Sequence, residues 1–332
     1  MLDRRWVAVL CAWGMMIGLM LAGCGGPAQE KTAVSAQELI VFHAGSLSAP
    51  FKEISALFAK KHPHVAVKAE AAGSRETARK VSDQDRPCDV LGAADFEVID
   101  ELLIPKHAAF SLRFATNELG IAYTEQSKKG GEASAGNWPE IVLAPEVAFG
   151  RADPNSDPCG YRTLMLFQLA ERHFKQPGLA GKLEAKHERR FMRPKETDLL
   201  ALLEAGEIDY LFIYRSVALQ HKLKFVRLPD EMNLSSPQHA ALYATATVEV
   251  SGKKPGEKVI LKGAPIVYGV TIPNNAPHRE LALAYVATLL SPEGQAVMAR
   301  QGQTPLTPAL TAQYAALPEQ LKPYCKDLGG RQ

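Results

Sequence analysis

The chain has 332 residues, with 38 lysines and arginines against 36 aspartates and glutamates and a formal net charge of +2 at pH 7. No long run of either sign occurs, which argues against nucleic acid as a partner, since a nucleic-acid surface favours a basic stripe. About 300 residues follow the N-terminal segment, enough for two lobes each with its own core.

The first segment reads as an export device. Arg4 and Arg5 precede an apolar run over residues 6–20, and Leu21-Ala22-Gly23-Cys24 follows. A positive start, a short apolar stretch and small residues before a cleavage point make up a secretory signal. The run is shorter than the roughly 20 residues that span a bilayer. A cysteine directly after Leu-Ala-Gly resembles the bacterial lipobox, so residues 1–23 are expected to be removed and a lipid carried on Cys24. An ordinary signal peptide or a short membrane anchor is the alternative. Gly25, Gly26 and Pro27 open a polar stretch, and 24–37 reads as a flexible tether. The working part is therefore expected outside the cytoplasm, held to a membrane in the periplasm or on the outer face of the cell. No later apolar stretch reaches spanning length. With Cys11 in the signal and Cys24 lipidated, Cys88, Cys159 and Cys325 allow at most one disulfide, and no pair has metal-finger spacing.

From Glu38 onward short apolar runs alternate with amphipathic stretches. Leu39-Ile40-Val41-Phe42 reads as a strand buried on both faces. Residues 46–61 follow as a helix with Leu47, Phe51, Ile54 and Leu57 on one face, and Pro50 near its start. A strand at 64–69, a helix from Ser74 to about Ser82 and a strand at 89–93 come next. This alternation predicts a parallel sheet covered by helices. Residues 114–123 read as a longer extended segment, and 265–272 as a second one far downstream. Between them lie a strand near Val147, helices at 160–174 and 197–205, and a strand at 210–214. Helices at 278–290 and 292–301 follow. The economical arrangement is two α/β lobes joined by two extended crossovers: 38–118 and 266–332 form one lobe, 119–265 the other.

Four stretches place small or polar residues where a helix begins: Ala44-Gly45-Ser46-Leu47, Ala72-Gly73-Ser74-Arg75, residues 157–162 and residues 193–197. A helix start carries unpaired amide groups and the positive end of the dipole, so it suits an anion. In open α/β sheets ligands sit beyond the carboxyl ends of the strands, where such loops gather. Taken singly, Ser46, Ser74 and Thr197 read as ordinary N-caps. Asp157 before Pro158 reads as a cap too, Glu196 as a first-turn acid, Tyr214 as core and His43 as a packed residue. Several such loops in both lobes are what points to one small ligand between them.

The motifs Phe42-His43-Ala44-Gly45-Ser46-Leu47, Ala72-Gly73-Ser74, P-N-S-D-P-C-G-Y-R (154–162), R-P-K-E-T-D-L (193–199) and Phe212-Ile213-Tyr214-Arg215-Ser216 occur in that order. Together they resemble the tungstate/molybdate-binding proteins of oxyanion ABC importers, within the class II-type extracellular solute-binding proteins. Residues 276–302 are similar to the closing helices of many bacterial solute-binding proteins. The resemblance implies a two-lobed, periplasmic-binding-protein-like fold of type II with two crossover strands. It implies no enzymatic activity and no cofactor. The ligand would be tungstate or molybdate, delivered by a monomeric receptor to a permease driven by an ATPase subunit. Ser46 and Ser74 would give hydroxyl and amide hydrogen bonds to the oxyanion, and Gly45 would let the chain approach closely. The Cys159 amide would donate from the second lobe, and Tyr214 would contact the anion or lie beside it. Asp157 and Glu196 would reach the metal centre itself.

That last assignment carries the selectivity. A carboxylate repels a dianion, so sulfate or phosphate gains little from two of them. Molybdenum and tungsten can expand from four oxygen neighbours to six, whereas sulfur and phosphorus in their oxyanions do not readily do so. Arg162 and Arg193 are expected as partners of the two acids. Asp153 stands where the family often has Asn, and the stretch 178–190 is short against relatives. The competing expectations are a sulfate or phosphate receptor, a hydrolase or transferase using Ser46 or Cys159 as nucleophile, and a surface adhesion or scaffold lipoprotein.

Overall fold

The computed structural model describes residues 37–329; the signal segment, Cys24 and most of the tether lie outside the described residues. The apolar run at Leu39–Phe42 becomes the strand Gln37–Ala44, with Leu39, Val41 and Phe42 buried. It pairs in parallel with Val65–Ala72 on one side and Val90–Ala93 on the other. The helices Ser48–Lys61 and Ser74–Ser82 supply the crossovers. Up to this point the chain follows the strand–helix alternation of its sequence.

The expected parallel sheet is nevertheless mixed. Its seven strands run, edge to edge, Cys325–Asp327, Thr304–Thr311, Leu112–Thr116, Val267–Thr271, Val90–Ala93, Gln37–Ala44 and Val65–Ala72. Val267–Thr271 is antiparallel to both Val90–Ala93 and Leu112–Thr116. The reason is topological. A segment returning from another sheet need not run in the direction that a local strand–helix–strand unit imposes. Helix–strand alternation reports only those local units.

The extended segment read at 114–123 is broken at Asn117-Glu118. Leu112–Thr116 belongs to the seven-stranded sheet and Leu119–Tyr123 to a five-stranded one, ordered Met192–Arg193, Phe149–Ala152, Tyr210–Tyr214, Leu119–Tyr123 and Lys224–Val226. Here too the crossover strand is the antiparallel one: Leu119–Tyr123 opposes Tyr210–Tyr214, which is parallel to Phe149–Ala152. Phe212 anchors this sheet, with Trp138, Phe149 and Phe167 packed edge-on at 5.6, 5.5 and 5.0 Å between ring centroids. Such pairs add to the apolar area they bury.

Features not anticipated from sequence include the helix Phe96–Leu102, the hairpin Thr247–Ser251/Lys258–Lys262, and the strand Thr304–Thr311 that returns to the larger sheet beyond the closing helices. Among the described residues no helix is long and apolar enough to cross a membrane. Cys88, Cys159 and Cys325 are all free thiols.

Candidate functional site

Ser46 lies in a single tight turn, Gly45–Leu47, that feeds the helix Ser48–Lys61, and Ser74 opens the helix Ser74–Ser82. Both are fully buried. Neither acts as a side-chain cap, so the ordinary N-cap reading fails for both. The Ser46 hydroxyl oxygen instead accepts from the Tyr268 hydroxyl at 2.9 Å, and that of Ser74 accepts from the Ala94 amide at 2.9 Å. Amides in a helix's first turn have no intrahelical acceptor.

Asp157 does cap its helix, Pro158–His173. One carboxylate oxygen accepts from the Cys159 amide at 2.8 Å and the other from the Glu196 amide at 3.1 Å. The cap therefore also ties two loops of the smaller sheet together. Glu196 begins the turn Glu196–Leu199 and is 1% exposed, yet neither of its carboxylate oxygens has a hydrogen-bond partner. Buried carboxylates are normally paired or hydrogen-bonded, because leaving one unpartnered costs several kcal/mol. Burial first, and then the charge of Glu196, push the Asp157 carboxyl well above the ordinary carboxylate range.

Two glycines let the loops of the two sheets meet. A Cβ on Gly45 would lie 2.8 Å from Glu196 Oε2 and 2.8 Å from Thr197 Oγ1. One on Gly73 would lie 2.7 Å from Pro194 O and closer still to Ser156 O. Ser156 O also accepts from the Arg75 amide at 3.0 Å. The neighbour that Gly45 admits is the Glu196 loop, whereas the resemblance implies an approach to the oxyanion. Asp153, the departure from the family pattern, is occupied locally: its carboxylate accepts from the Asn155 amide at 3.0 Å and the Ser156 hydroxyl at 3.2 Å.

Several expected roles differ. Arg162 pairs with neither acid. Its guanidinium reaches Asp95 at 2.9 Å, Ala94 O at 2.7 Å and the Tyr214 hydroxyl at 2.8 Å, and Asp95 also accepts from Tyr161. Arg193 donates to the carbonyls of Arg190 and Met192. The physical reason lies in position. Arg162 is one turn into its helix and reaches across to the end of the Val90–Ala93 strand, whereas the acids sit at helix starts. The Cys159 amide is committed to Asp157, and its thiol contacts Phe212 O at 3.5 Å. Burial raises that thiol well above its ordinary range, which removes the thiolate a nucleophile needs. Tyr214 is buried with its hydroxyl held by Arg162. His43 is a packed residue, bonded to Ala44 O at 2.8 Å and edge-on to Phe51. Tyr268 and Asn117 were missed. The available signal was a hydroxyl and an amide inside the two extended crossovers, where apolar residues predominate.

The candidate site therefore brings loops of the larger sheet, which carry the buried Ser46 and Ser74, against loops of the smaller one, which carry the buried Asp157 and Glu196. The sequence model of the bacterial extracellular solute-binding proteins matches residues 39–304. The chain belongs to this family. It is a solute-binding protein rather than an enzyme, and the family is extracellular. An uncharacterized solute-binding protein of Petrotoga mobilis is 47% identical over 87% of this chain and 90% of its own. The molybdate/tungstate-binding protein WtpA of Thermococcus kodakarensis is 40% identical over 96% of each chain, and that of Pyrococcus abyssi 37% over 93% and 95%. Among solved structures, the periplasmic molybdate-binding protein of Azotobacter vinelandii superposes with a TM-score of 0.59 at 17% identity, over 80% of this chain and 98% of that one. The sulfate-binding protein SubI of Mycobacterium tuberculosis gives 0.57 at 13% identity, over 81% and 87%. Both share the two-lobed binding-protein fold.

The raised Asp157 carboxyl carries a sign. Its contribution to stability is complete below the unfolded value near pH 4 and is lost as pH rises through the raised native value. Replacing Glu196 with Gln removes the second cause of the shift. In calorimetric melts of the ligand-free protein, Glu196→Gln should unfold about 2–4 °C above wild type at pH 8. The difference should shrink toward pH 4. A variant less stable than wild type at pH 8, or a gap independent of pH, would contradict the repulsive pair.

Proposed function

We propose that this solute-binding protein is a lipid-anchored receptor of an ABC importer that captures tungstate or molybdate between its lobes. The observation that carries this reading is the unpartnered, buried Glu196 carboxylate beside Asp157. Two adjacent acids in a dry site repel a dianion but can bind an electron-poor metal centre able to accept further oxygen ligands. Ser46 and Ser74 would donate to the anion's oxygens. Glu196 and Asp157 would approach the metal, the Cys159 amide orienting Asp157 and Tyr214 acting through Arg162. The curated names of the WtpA relatives support the same ligands.

Residues 38–118 with 266–332 would form one lobe and 119–265 the other, closing on the anion by shifting an open–closed equilibrium. Delivery to a permease and its ATPase follows from the same reading, and Cys24 would keep the receptor near that permease. Among the described residues neither Ser46 Oγ nor Cys159 Sγ is hydrogen-bonded to a histidine or carboxylate, which weighs against the hydrolase alternative. The partner of Ser46 is a tyrosine whose hydroxyl burial holds above its ordinary range, and the Cys159 thiol is inert.

Calorimetric titration of the mature domain with tungstate, molybdate and sulfate tests the ligand. The first two should bind one per chain, and about 100-fold or more tighter than sulfate, a gap near 2.7 kcal/mol. Glu196→Ala should narrow that gap. Equal weak binding of all three anions would remove the proposal. Closure has its own test. Gly73 has φ −59°, which any residue adopts, so the effect of Gly73→Ala comes from its Cβ meeting Ser156 O and Pro194 O rather than from backbone strain. The contact with Ser156 and Pro194 should lower tungstate affinity about tenfold to a hundredfold; wild-type affinity would mean the two loops need not meet. For the anchor, fractionation should place the wild-type protein with membranes and Cys24→Ser in the soluble extracytoplasmic fraction. Membrane association of Cys24→Ser would refute the lipid on that residue.

A further inference from the structure

Asn117 sits where the chain leaves the larger sheet for the smaller, and its side chain has one possible orientation. Its Oδ1 accepts from the Glu118 amide at 2.9 Å. Nδ2 then carries its two protons to the Ser216 hydroxyl at 2.8 Å and the Tyr268 hydroxyl at 2.9 Å. An amide nitrogen only donates. Tyr268 must therefore accept from Asn117 and direct its own proton elsewhere, and its other partner is Ser46 Oγ at 2.9 Å. Tyr268 is fully buried, and burial keeps its hydroxyl protonated. The direction of each bond in the chain Asn117, Tyr268, Ser46 is thus set by the first member.

Ser46 ends this chain with one lone pair engaged and, among the described residues, no acceptor for its own proton. Ser74 is in the same position by a different route, since a backbone amide occupies its oxygen. Unconstrained, a serine hydroxyl turns to donate or to accept as its surroundings favour. Turned to accept, it would direct a lone pair at an anion's oxygen.

We propose that Asn117 and Tyr268 are positioning residues that turn the Ser46 hydroxyl toward donating to the bound anion, by filling one of its lone pairs from the opposite side. The proposal rests on the oxyanion reading of the site. It adds two residues that touch no ligand and a reason for a polar pair inside two otherwise apolar crossover strands. Because Asn117 also binds Ser216, at the start of the helix after Tyr210–Tyr214, the orientation of Ser46 is tied to contacts between the two sheets.

Double-mutant cycles on the mature domain, titrated with molybdate and tungstate, test it. Tyr268→Phe should weaken binding about fivefold to tenfold, and Asn117→Ala about twofold to fivefold. Ser46→Ala should weaken it about tenfold. In the Ser46→Ala background neither substitution should weaken binding further by more than about twofold, because each acts through the hydroxyl already removed. A merely structural role would move affinity equally in both backgrounds. Full additivity in either cycle, or wild-type affinity in both single variants, would overturn the relay; if Tyr268→Phe fails to fold, the Asn117→Ala cycle decides. Wild-type protein that binds neither anion would overturn the functional reading and the relay together. Tight wild-type binding with additive cycles would overturn the relay alone.

Discussion

The constraint on which the structure turns is that Asp157 and Glu196 are buried side by side with, among the described residues, no ion pair to either. A protein that needed only stability would neutralise such a pair or replace it with apolar residues, which is often the more stable solution. The chain has the means, since Arg162 is one turn away from Asp157, but its guanidinium is directed to Asp95, Ala94 and Tyr214. The arginine that could quench the acids fastens one sheet's helix to the other sheet's strand end. The acids are left with backbone amides on Asp157 and nothing on Glu196.

Other local choices follow from that arrangement. Glycines at 45 and 73 stand where a single Cβ would collide with the opposing loop. Arg75, fully buried next to Ser74, binds Glu101 at 2.8 Å and Ser251 O at 2.6 Å, and Asn155 accepts from the Ser251 amide at 2.9 Å. The hairpin that carries Ser251 is thereby fastened on one side to the helix that opens with Ser74 and on the other to the loop that ends in Asp157. Arg162 and Arg75 each carry a charged contact across the seam close to the site. Hydrogen bonds to charged groups are the stronger ones, so these contacts oppose the repulsion that the two acids introduce.

Much of this was legible in the chain because it depends on local chemistry. Continuous apolar runs marked the buried strands, and Gly-Ser and Asp-Pro pairs marked the helix starts that hold Ser46, Ser74 and Asp157. The antiparallel insertion of Val267–Thr271 was not legible, because strand direction within a sheet is a property of the path between lobes and leaves no local trace. The partner of Arg162 was hidden for the same reason: Asp95 is 67 positions earlier, and only the meeting of two sheets makes them neighbours. Cys159 shows a subtler limit. Its amide stands in a loop suited to anions, yet the carboxylate two residues before it is nearer than any ligand from outside. Sequence spacing reveals which donors are present but not which acceptor reaches them first.

The two halves of the site make demands that few solutes meet together. On the proposed reading, Ser46 and Ser74, each with one lone pair engaged and no acceptor for its proton among the described residues, would favour acceptors on the ligand. Glu196 and Asp157 require the opposite, an electron-poor centre or a proton within reach of their oxygens. A bare metal cation would suit the acids and leave two buried hydroxyl protons without acceptors. Sulfate would suit the hydroxyls and oppose the acids. A hydrogen phosphate could offer one proton to one carboxylate, but the second would still face a net negative ligand in a site closed to water. An oxyanion whose central atom accepts extra oxygen ligands presents acceptors outward and an electrophile within. On the proposed reading, the geometry that makes the buried Glu196 carboxylate costly would also make the site selective, and the lack of a countercharge beside it among the described residues is the condition for both.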